Sequence, residues 1–86
     1  MIIRMNKEKI LNEYSTCDLA LAAVISIYYP FRIINKENSG KVYFIFQKDK
    51  NFDLLLEQYW CGDLKIEPKQ YFNSIKILKS RIYQGV

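Results

Sequence analysis

In residues 41–47, five β-branched or aromatic residues in a row lie between Lys41 and Gln47. This pattern predicts a buried strand at the centre of the fold. The even-numbered side chains of such a strand face one side, and Tyr43 and Ile45 face the other. Because both faces are apolar, we expect helices to cover one face and a second layer or a partner to cover the other.

Residues 31–35, Phe-Arg-Ile-Ile-Asn, are typical of a second strand, and the five residues that follow them are typical of a turn. Asn38 and Gly40 can take the positive φ angles that tight turns require. The two strands are therefore predicted to form a β-hairpin. A two-stranded hairpin alone is marginal in water, so helices must pack on it.

A first helix is predicted to begin at residues 15–18, Ser-Thr-Cys-Asp. In this arrangement the Ser15 hydroxyl would accept a hydrogen bond from a backbone N–H near Asp18, and the Asp18 carboxylate would reach back to the helix start. The helix continues through an almost entirely apolar run to Ile27, which indicates burial on several sides. Pro30 ends it, since the residue before a proline is disfavoured in the α region.

Two further helices are predicted after the hairpin. The first has the cleanest helical spacing in the chain, i, i+3, i+4, i+7 and i+8, and Gly62 can end it in the left-handed conformation. Pro68 is suited to open the second, because its missing N–H costs nothing in the first turn. The inward-facing residues are predicted to be Phe52, Leu55, Leu56, Tyr59 and Trp60 in one helix and Tyr71, Ile75, Leu78 and Ile82 in the other.

Together these elements predict a small α+β domain in the order αββαα, with the β-hairpin packed against three helices that lie mainly on one face. Residues 15–86 are predicted to form this single domain, since a chain of 86 residues suffices for one core. Residues 1–14 are predicted to be an N-terminal arm that is either frayed or a single helical turn.

The composition argues against a membrane or secreted protein. The chain contains no apolar run near the 18 residues that a membrane-spanning helix needs. The apolar stretch at the N-terminus is too short for a signal peptide, and no small-residue cleavage site follows it. We therefore expect a cytoplasmic protein without membrane contact.

Candidate catalytic and metal-binding residues are few. Histidine, the usual general base near neutral pH, is absent. Cys17 and Cys61 are too few for a four-ligand zinc site, and we expect two buried thiols, with a disulfide or a reactive thiol as the alternative. Asp53 and Glu57 share one helix face, but a hard cation needs several more oxygen ligands. We therefore expect no enzymatic activity, no metal and no cofactor.

Three segments carry a resemblance to a known family. They are residues 14–23 (YSTCDLALAA), the strand end at 43–46 (YFIF), and residues 67–83, which begin with EPKQYF and end with LKSRIY. In this order they resemble domain of unknown function 5659, an uncharacterised family of small prokaryotic, plasmid and phage domains. The resemblance covers about residues 14–83. It implies no activity, but it suggests a gene of a mobile element or of its host.

A nucleic-acid ligand is the first functional hypothesis. Lysine and arginine outnumber aspartate and glutamate by 13 to 9, so the chain carries a net charge of +4. A basic surface can contact the phosphates of DNA or RNA. The alternating aromatics of the central strand also resemble an RNA-recognition strand, but the glycines of that motif are missing. The candidate contact residues lie on the last helix and the loop before it: Lys65, Lys69, Lys76, Lys79 and Arg81.

Protein interaction is the alternative hypothesis. Thirteen aromatic residues and a hairpin that is apolar on both faces provide more apolar surface than 86 residues easily bury. An uncovered sheet face could pair with a second copy through Tyr43 and Ile45, giving a homodimer. The same aromatic-rich surface could instead bind a host target, as an inhibitory protein of a phage or mobile element would. Both hypotheses describe a non-enzymatic binding module.

Overall fold

The computed structural model describes residues 12–36 and 40–84, and these residues have the α+β architecture predicted from the sequence. Three strands and three helices follow one another in the order βαββαα within them. In chain order they are β1 Glu13–Thr16, α1 Leu19–Tyr28, β2 Phe31–Lys36, β3 Lys41–Gln47, α2 Phe52–Cys61 and α3 Pro68–Tyr83. The predicted order αββαα lacks only the first strand.

The central strand of the antiparallel sheet is β3, and the strand order is β1-β3-β2. Phe44 in the middle of β3 lies opposite Thr16 of β1 and Ile33 of β2. The predicted hairpin of β2 and β3 is confirmed, and Gly40 at its turn has a φ of 68°. Asn38, which was expected to help form this turn, lies outside the described residues.

The sequence pattern does not predict β1. Residues 13 and 14 fall in the expected arm and residues 15 and 16 at the expected helix start, yet all four pair with β3. Tyr14 and Thr16 are half-buried, while Glu13 and Ser15 are exposed, and this alternation suits a strand at a sheet edge. The Lys48 N–H extends the pairing by donating to the Asn12 carbonyl at 2.6 Å.

Helix α1 begins after Asp18, so the predicted Ser15 cap is wrong. The Asp18 carboxylate accepts a hydrogen bond from the Leu21 N–H at 3.2 Å, and the Thr16 hydroxyl accepts one from the Asp18 N–H at 3.0 Å. Ser15 cannot cap the helix because its backbone is extended and paired with Ile45. Aspartate caps a helix as well as serine does, so Asp18, which was predicted only to reach back to the helix start, is itself the cap.

Replacing Asp18 with alanine is expected to lower the free energy of unfolding by about 1 kcal/mol, because the Leu21 N–H loses its partner. Ser15→Ala is the matched control: this exposed side chain caps nothing, so we expect a change within about 0.5 kcal/mol. Urea unfolding followed by circular dichroism compares the two variants. Equal losses in both would contradict the assignment of the cap to Asp18.

The helices cover one face of the sheet. Helix α1 packs against α3, and Ala22 and Ala23 of α1 are fully buried, which lets neighbouring elements approach closely. The predicted inward stripe of α3 is confirmed, with Leu78 in the core and the other three residues partly buried against it. The buried core comprises Leu21, Ala22, Ala23, Ile25, Phe44, Phe46, Phe52, Leu55 and Leu78.

Helix α2 places most of its predicted stripe against the core. Phe52 and Leu55 are buried, but Trp60 is 66% exposed, so the prediction is wrong for Trp60. At about 100° per residue Trp60 lies about 80° from Phe52, at the margin of the stripe. Its ring packs edge-on against Tyr59 with centroids 5.0 Å apart. Gly62 ends the helix with a φ of 79°, as predicted.

A hydrogen bond ties the end of α1 to the loop before α2. The Tyr29 hydroxyl donates to the Asp49 carboxylate at 2.6 Å, and the same carboxylate accepts from the Asn51 N–H at 2.9 Å. The bond to Asp49 raises the pKa of Tyr29 to about 12, and the bond from Tyr29 lowers the pKa of Asp49. Tyr29 also packs edge-on against Phe52, with ring centroids 5.0 Å apart. These contacts hold the loop against the core.

Candidate nucleic-acid interface

The excess positive charge of the chain is confined to its C-terminal quarter. Residues 1–64 contain eight cationic and eight acidic residues, whereas residues 65–86 contain five cations and one acid, Glu67. The Glu67 carboxylate accepts a hydrogen bond from the Gln70 N–H at 3.0 Å and thereby caps α3. Helix α3 itself has four cations and no acidic residue. The net charge of +4 is therefore carried by α3 and the segment just before it.

Three of the five predicted contact residues lie on one side of α3. Lys69, Lys76 and Lys79 are exposed and are spaced by seven and three residues, so at about 100° per residue they share an arc of about 80°. Along the helix axis Lys69 and Lys79 are about 15 Å apart. This arc lies beside the inward-facing stripe of α3 and outside the core. The structure thus brings these lysines together.

Two exposed aromatic residues lie within the same arc. Phe72 is 63% exposed and Tyr83 is 82% exposed. Each follows or precedes a lysine of the arc by three or four residues, which makes the side chains neighbours on the helix surface. We call this set the lysine–aromatic stripe; it consists of Lys69, Phe72, Lys76, Lys79 and Tyr83.

The other two predicted contact residues lie elsewhere. Arg81 is about 160° around α3 from Lys79, and its guanidinium carbon lies 5.2 Å from the centroid of the Phe31 ring. That cation–π contact fixes Arg81 against β2 rather than beside the lysines. Lys65 is exposed in the segment between α2 and α3.

The lysines of the stripe form no ion pair within the part of the chain that the structure describes. Ion pairs in residues 12–36 and 40–84 join Arg32 to Glu13 at 2.6 Å and Lys48 to Asp53 at 3.7 Å. Within those residues no carboxylate lies within 4.0 Å of a stripe lysine. The stripe therefore presents three cations and two flat apolar rings to solvent, a combination that can hold phosphates and stack on bases.

Comparison with known proteins identifies a family. The model of the family described as Domain of unknown function (DUF5659) matches residues 11–84. The chain belongs to this family. No match was found among curated proteins or among solved structures. The description of the family names no activity or ligand, so the function of this DUF5659 domain has to be argued from its own residues.

The aromatic residues of β3 do not form an RNA-binding platform in this DUF5659 domain. Phe44 and Phe46 are fully buried under the helices, so neither can stack on a base. Tyr43, on the opposite face, is half-buried. The likeness of β3 to an RNA-recognition strand is therefore a consequence of its place in the core.

On the opposite face of the sheet, Ile45 is less exposed than the sequence indicates. Ile45 is only 8% exposed within a single chain. The bond from Arg32 Nη2 to Glu13 Oε2 joins the two outer strands, which lie roughly 9–10 Å apart with β3 between them. These side chains must therefore cross β3 beside Ile45, the partner of Arg32 in the sheet register. The apolar area that Ile45 offers to a second copy is correspondingly small.

A second surface is an apolar groove between the end of α1 and α2. Its volume is ≈ 270 Å³, and Tyr28 and Leu54, both about half exposed, lie on its walls. Leu64 lines this groove and also a neighbouring one of ≈ 340 Å³ beside Tyr59 and Tyr71. Two neighbouring apolar grooves are of the kind of surface that binds proteins.

The structure shows where the cysteine and carboxylate side chains considered in the sequence analysis lie. Cys17 and Cys61 are both exposed free thiols, so the prediction that they are buried is wrong. Asp53 is exposed and forms an ion pair with Lys48. Among the described residues, no group of three or more histidine, cysteine, aspartate or glutamate side chains is placed to hold a metal ion. No helix of the described segments is long and apolar enough to cross a membrane.

Sequence reasoning missed Phe72 as a candidate functional residue. The signal was present, because Phe72 continues the spacing of the lysines and lies four residues before Lys76. The uneven distribution of charge along the chain was a second signal. Together, these two signals predict a site on one side of α3 and not one that uses all five cations of the C-terminal segment.

Proposed function

We propose that this domain is a non-enzymatic module that binds nucleic acid through the lysine–aromatic stripe of α3. The observation that carries the proposal is the concentration of the whole excess charge in residues 65–86, with three exposed lysines on one side of a helix. A phosphate backbone is a polyanion, and each phosphate that a lysine neutralises releases a condensed counterion. A nucleic-acid ligand also agrees with the cytoplasmic location expected from the sequence.

A lysine-bearing helix face is often only a solvated surface, and two features argue against that interpretation. Elsewhere in the chain cations and acids are equal in number, and Arg32 and Lys48 are each paired with a carboxylate. A purely solubilising face would also be expected to lack large exposed apolar rings such as Phe72 and Tyr83. Their presence among the lysines favours a binding surface.

Three carboxylates of the chain have structural roles. Asp18 and Glu67 each accept a hydrogen bond from a backbone N–H at a helix start, and Asp49 accepts from Tyr29 and Asn51. With histidine absent from the chain, these contacts support a binding role without chemistry.

Binding of labelled oligonucleotides, followed by fluorescence anisotropy over a range of salt concentrations, tests the proposal. If three lysines contact phosphates of a single strand, log K should fall with log [salt] with a slope of about −2. Lys76→Gln should reduce the slope by about 0.7. Lys50→Gln is the matched control, because Lys50 is an exposed lysine outside the stripe, and it should leave the slope unchanged. Absence of binding to single strands and duplexes even at low salt would refute the proposal.

Protein binding through the apolar groove is the second candidate function. The observation in its favour is that Leu64 lines both apolar grooves, with half-exposed Tyr28 and Leu54 on the walls of the first. An inhibitory protein of a phage or mobile element would use such a surface on a host target. Self-association through Tyr43 and Ile45 stays a prediction, with a smaller apolar contribution from Ile45 than the sequence indicates.

A further inference from the structure

We infer that the ligand is single-stranded and that its bases stack on the rings of Phe72 and Tyr83. This inference rests on the proposed function and specifies the class of nucleic acid that the stripe takes. Both rings are mostly exposed, and neither contributes to the core. Exposed aromatic rings beside cations are the combination with which proteins hold single strands, because every base has a flat face that can stack.

The spacing of the stripe places a phosphate-binding group beside each ring. Phe72 lies three residues after Lys69 and four before Lys76, and Tyr83 lies four residues after Lys79. Residues three or four apart on a helix have Cβ atoms about 5–6 Å apart. A base on a ring therefore has a lysine within reach of its own or the next phosphate.

A duplex fits this stripe less well than a single strand does. Its phosphates can contact the lysines, but its bases are paired and stacked inside the helix, and exposing one has a free-energy cost. Phe72 and Tyr83 would then remain in water or meet the sugar-phosphate backbone. The rings consequently favour single strands, whereas the lysines alone do not distinguish single strands from duplexes.

A second copy of the chain is a poor occupant of the stripe. Three of its five positions are lysines, and they recur at the three- and seven-residue spacings along which two helices would pack. Pairing two such stripes would bring like charges together, which is destabilising. The charge of the surface therefore selects an anionic partner, and the rings select one with exposed flat groups.

The length of the stripe sets a minimum ligand. Phe72 and Tyr83 are eleven residues apart, which is about 16 Å along the helix axis. A stacked strand has about 3.4 Å per nucleotide step, so about five steps, and therefore about six nucleotides, are needed to reach both rings. Affinity should rise steeply up to this length and more slowly beyond it.

The test compares the double variant Phe72→Ala, Tyr83→Ala with the wild-type chain, using a labelled single-stranded oligothymidylate and a duplex at low salt. Loss of both rings should raise the Kd for the single strand at least tenfold and change the Kd for the duplex no more than about twofold. Ile77→Ala is the control, since Ile77 is an exposed apolar residue of α3 on the side away from Lys76. It should change neither Kd, and thermal unfolding checks that all variants are folded.

A spectroscopic arm tests stacking directly. In the variant Trp60→Phe, Phe72→Trp the only tryptophan of the chain is in the stripe, and its fluorescence should be quenched by the single strand and not by the duplex. If oligonucleotides bind with the expected salt dependence but the ring variant binds both ligands as the wild type does and no quenching occurs, the inference is wrong while the proposed function stands. If no oligonucleotide binds to the wild-type chain, the proposed function itself fails.

Discussion

Phe44→Ala is expected to lower the free energy of unfolding by about 3–5 kcal/mol, a large part of the stability of a domain of this size. Phe44 is 1% exposed in the middle of the central strand, and its ring packs edge-on against Phe31 with centroids 5.9 Å apart. Truncation removes the buried apolar area and leaves a cavity between the sheet and the helices. Urea unfolding followed by circular dichroism measures the loss.

Phe72→Ala provides the matched control for this substitution. The chemical change is the same, but Phe72 is 63% exposed on α3, so we expect a loss within about 0.5 kcal/mol. If Phe44→Ala does not fold at all, Phe44→Leu gives a smaller and measurable loss at the same site. Similar midpoints for the Phe44 and Phe72 alanine variants would show that β3 is not the centre of the core.

Elements with strong local patterns could be predicted from the sequence. Five apolar residues in a row identify β3, and helical spacing with Gly62 or Pro68 at the ends identifies α2 and α3. In these segments the local preference and the tertiary environment agree, so the sequence alone suffices. The hairpin of β2 and β3 follows from the turn between them.

The first strand could not be predicted because its identity depends on a distant partner. Residues 13–16 contain three polar residues and overlap a helix-start signature, so local preference favours a cap. Pairing with β3 adds backbone hydrogen bonds that only the tertiary fold supplies. Once Ser15 is held in the strand, Asp18 becomes the first residue that can cap α1.

The exposure of side chains was the property that was hardest to predict from the sequence. Trp60 fits the helical spacing of α2 but lies at the margin of its buried stripe. Cys17, just after β1, and Cys61, the last residue of α2, are both exposed. The same difference between spacing and exposure applies to the candidate site. The positions of the lysines on one arc of α3 were predictable from spacing, whereas the exposure of Phe72 and the contact of Arg81 with Phe31 required the packed structure.

Exchanging the three stripe lysines for glutamate is expected to abolish nucleic-acid binding at low salt. In the variant Lys69→Glu, Lys76→Glu, Lys79→Glu each exchange changes the charge by two, so the net charge falls from +4 to −2. Phosphates that the lysines would neutralise then meet carboxylates, and repulsion replaces counterion release. Anisotropy with labelled single strands and duplexes should show no saturable binding of either.

The domain itself should survive this exchange. The three side chains are exposed and make no ion pair within the described part of the chain. The main cost is that Lys79→Glu places a negative charge near the C-terminal end of α3, which opposes the helix dipole by about 0.3–1 kcal/mol. Thermal unfolding followed by circular dichroism should therefore show a folded protein with a modestly lower Tm.

The charge-conserving variant Lys69→Arg, Lys76→Arg, Lys79→Arg is the matched control, and it should bind about as well as the wild-type chain. Loss of binding in the glutamate variant alone would then follow from charge at this surface. If a folded glutamate variant still binds, the stripe does not hold the phosphates. Lys65 and Arg81 would be the remaining cations of residues 65–86 to hold them, because residues 1–64 carry as many acids as cations.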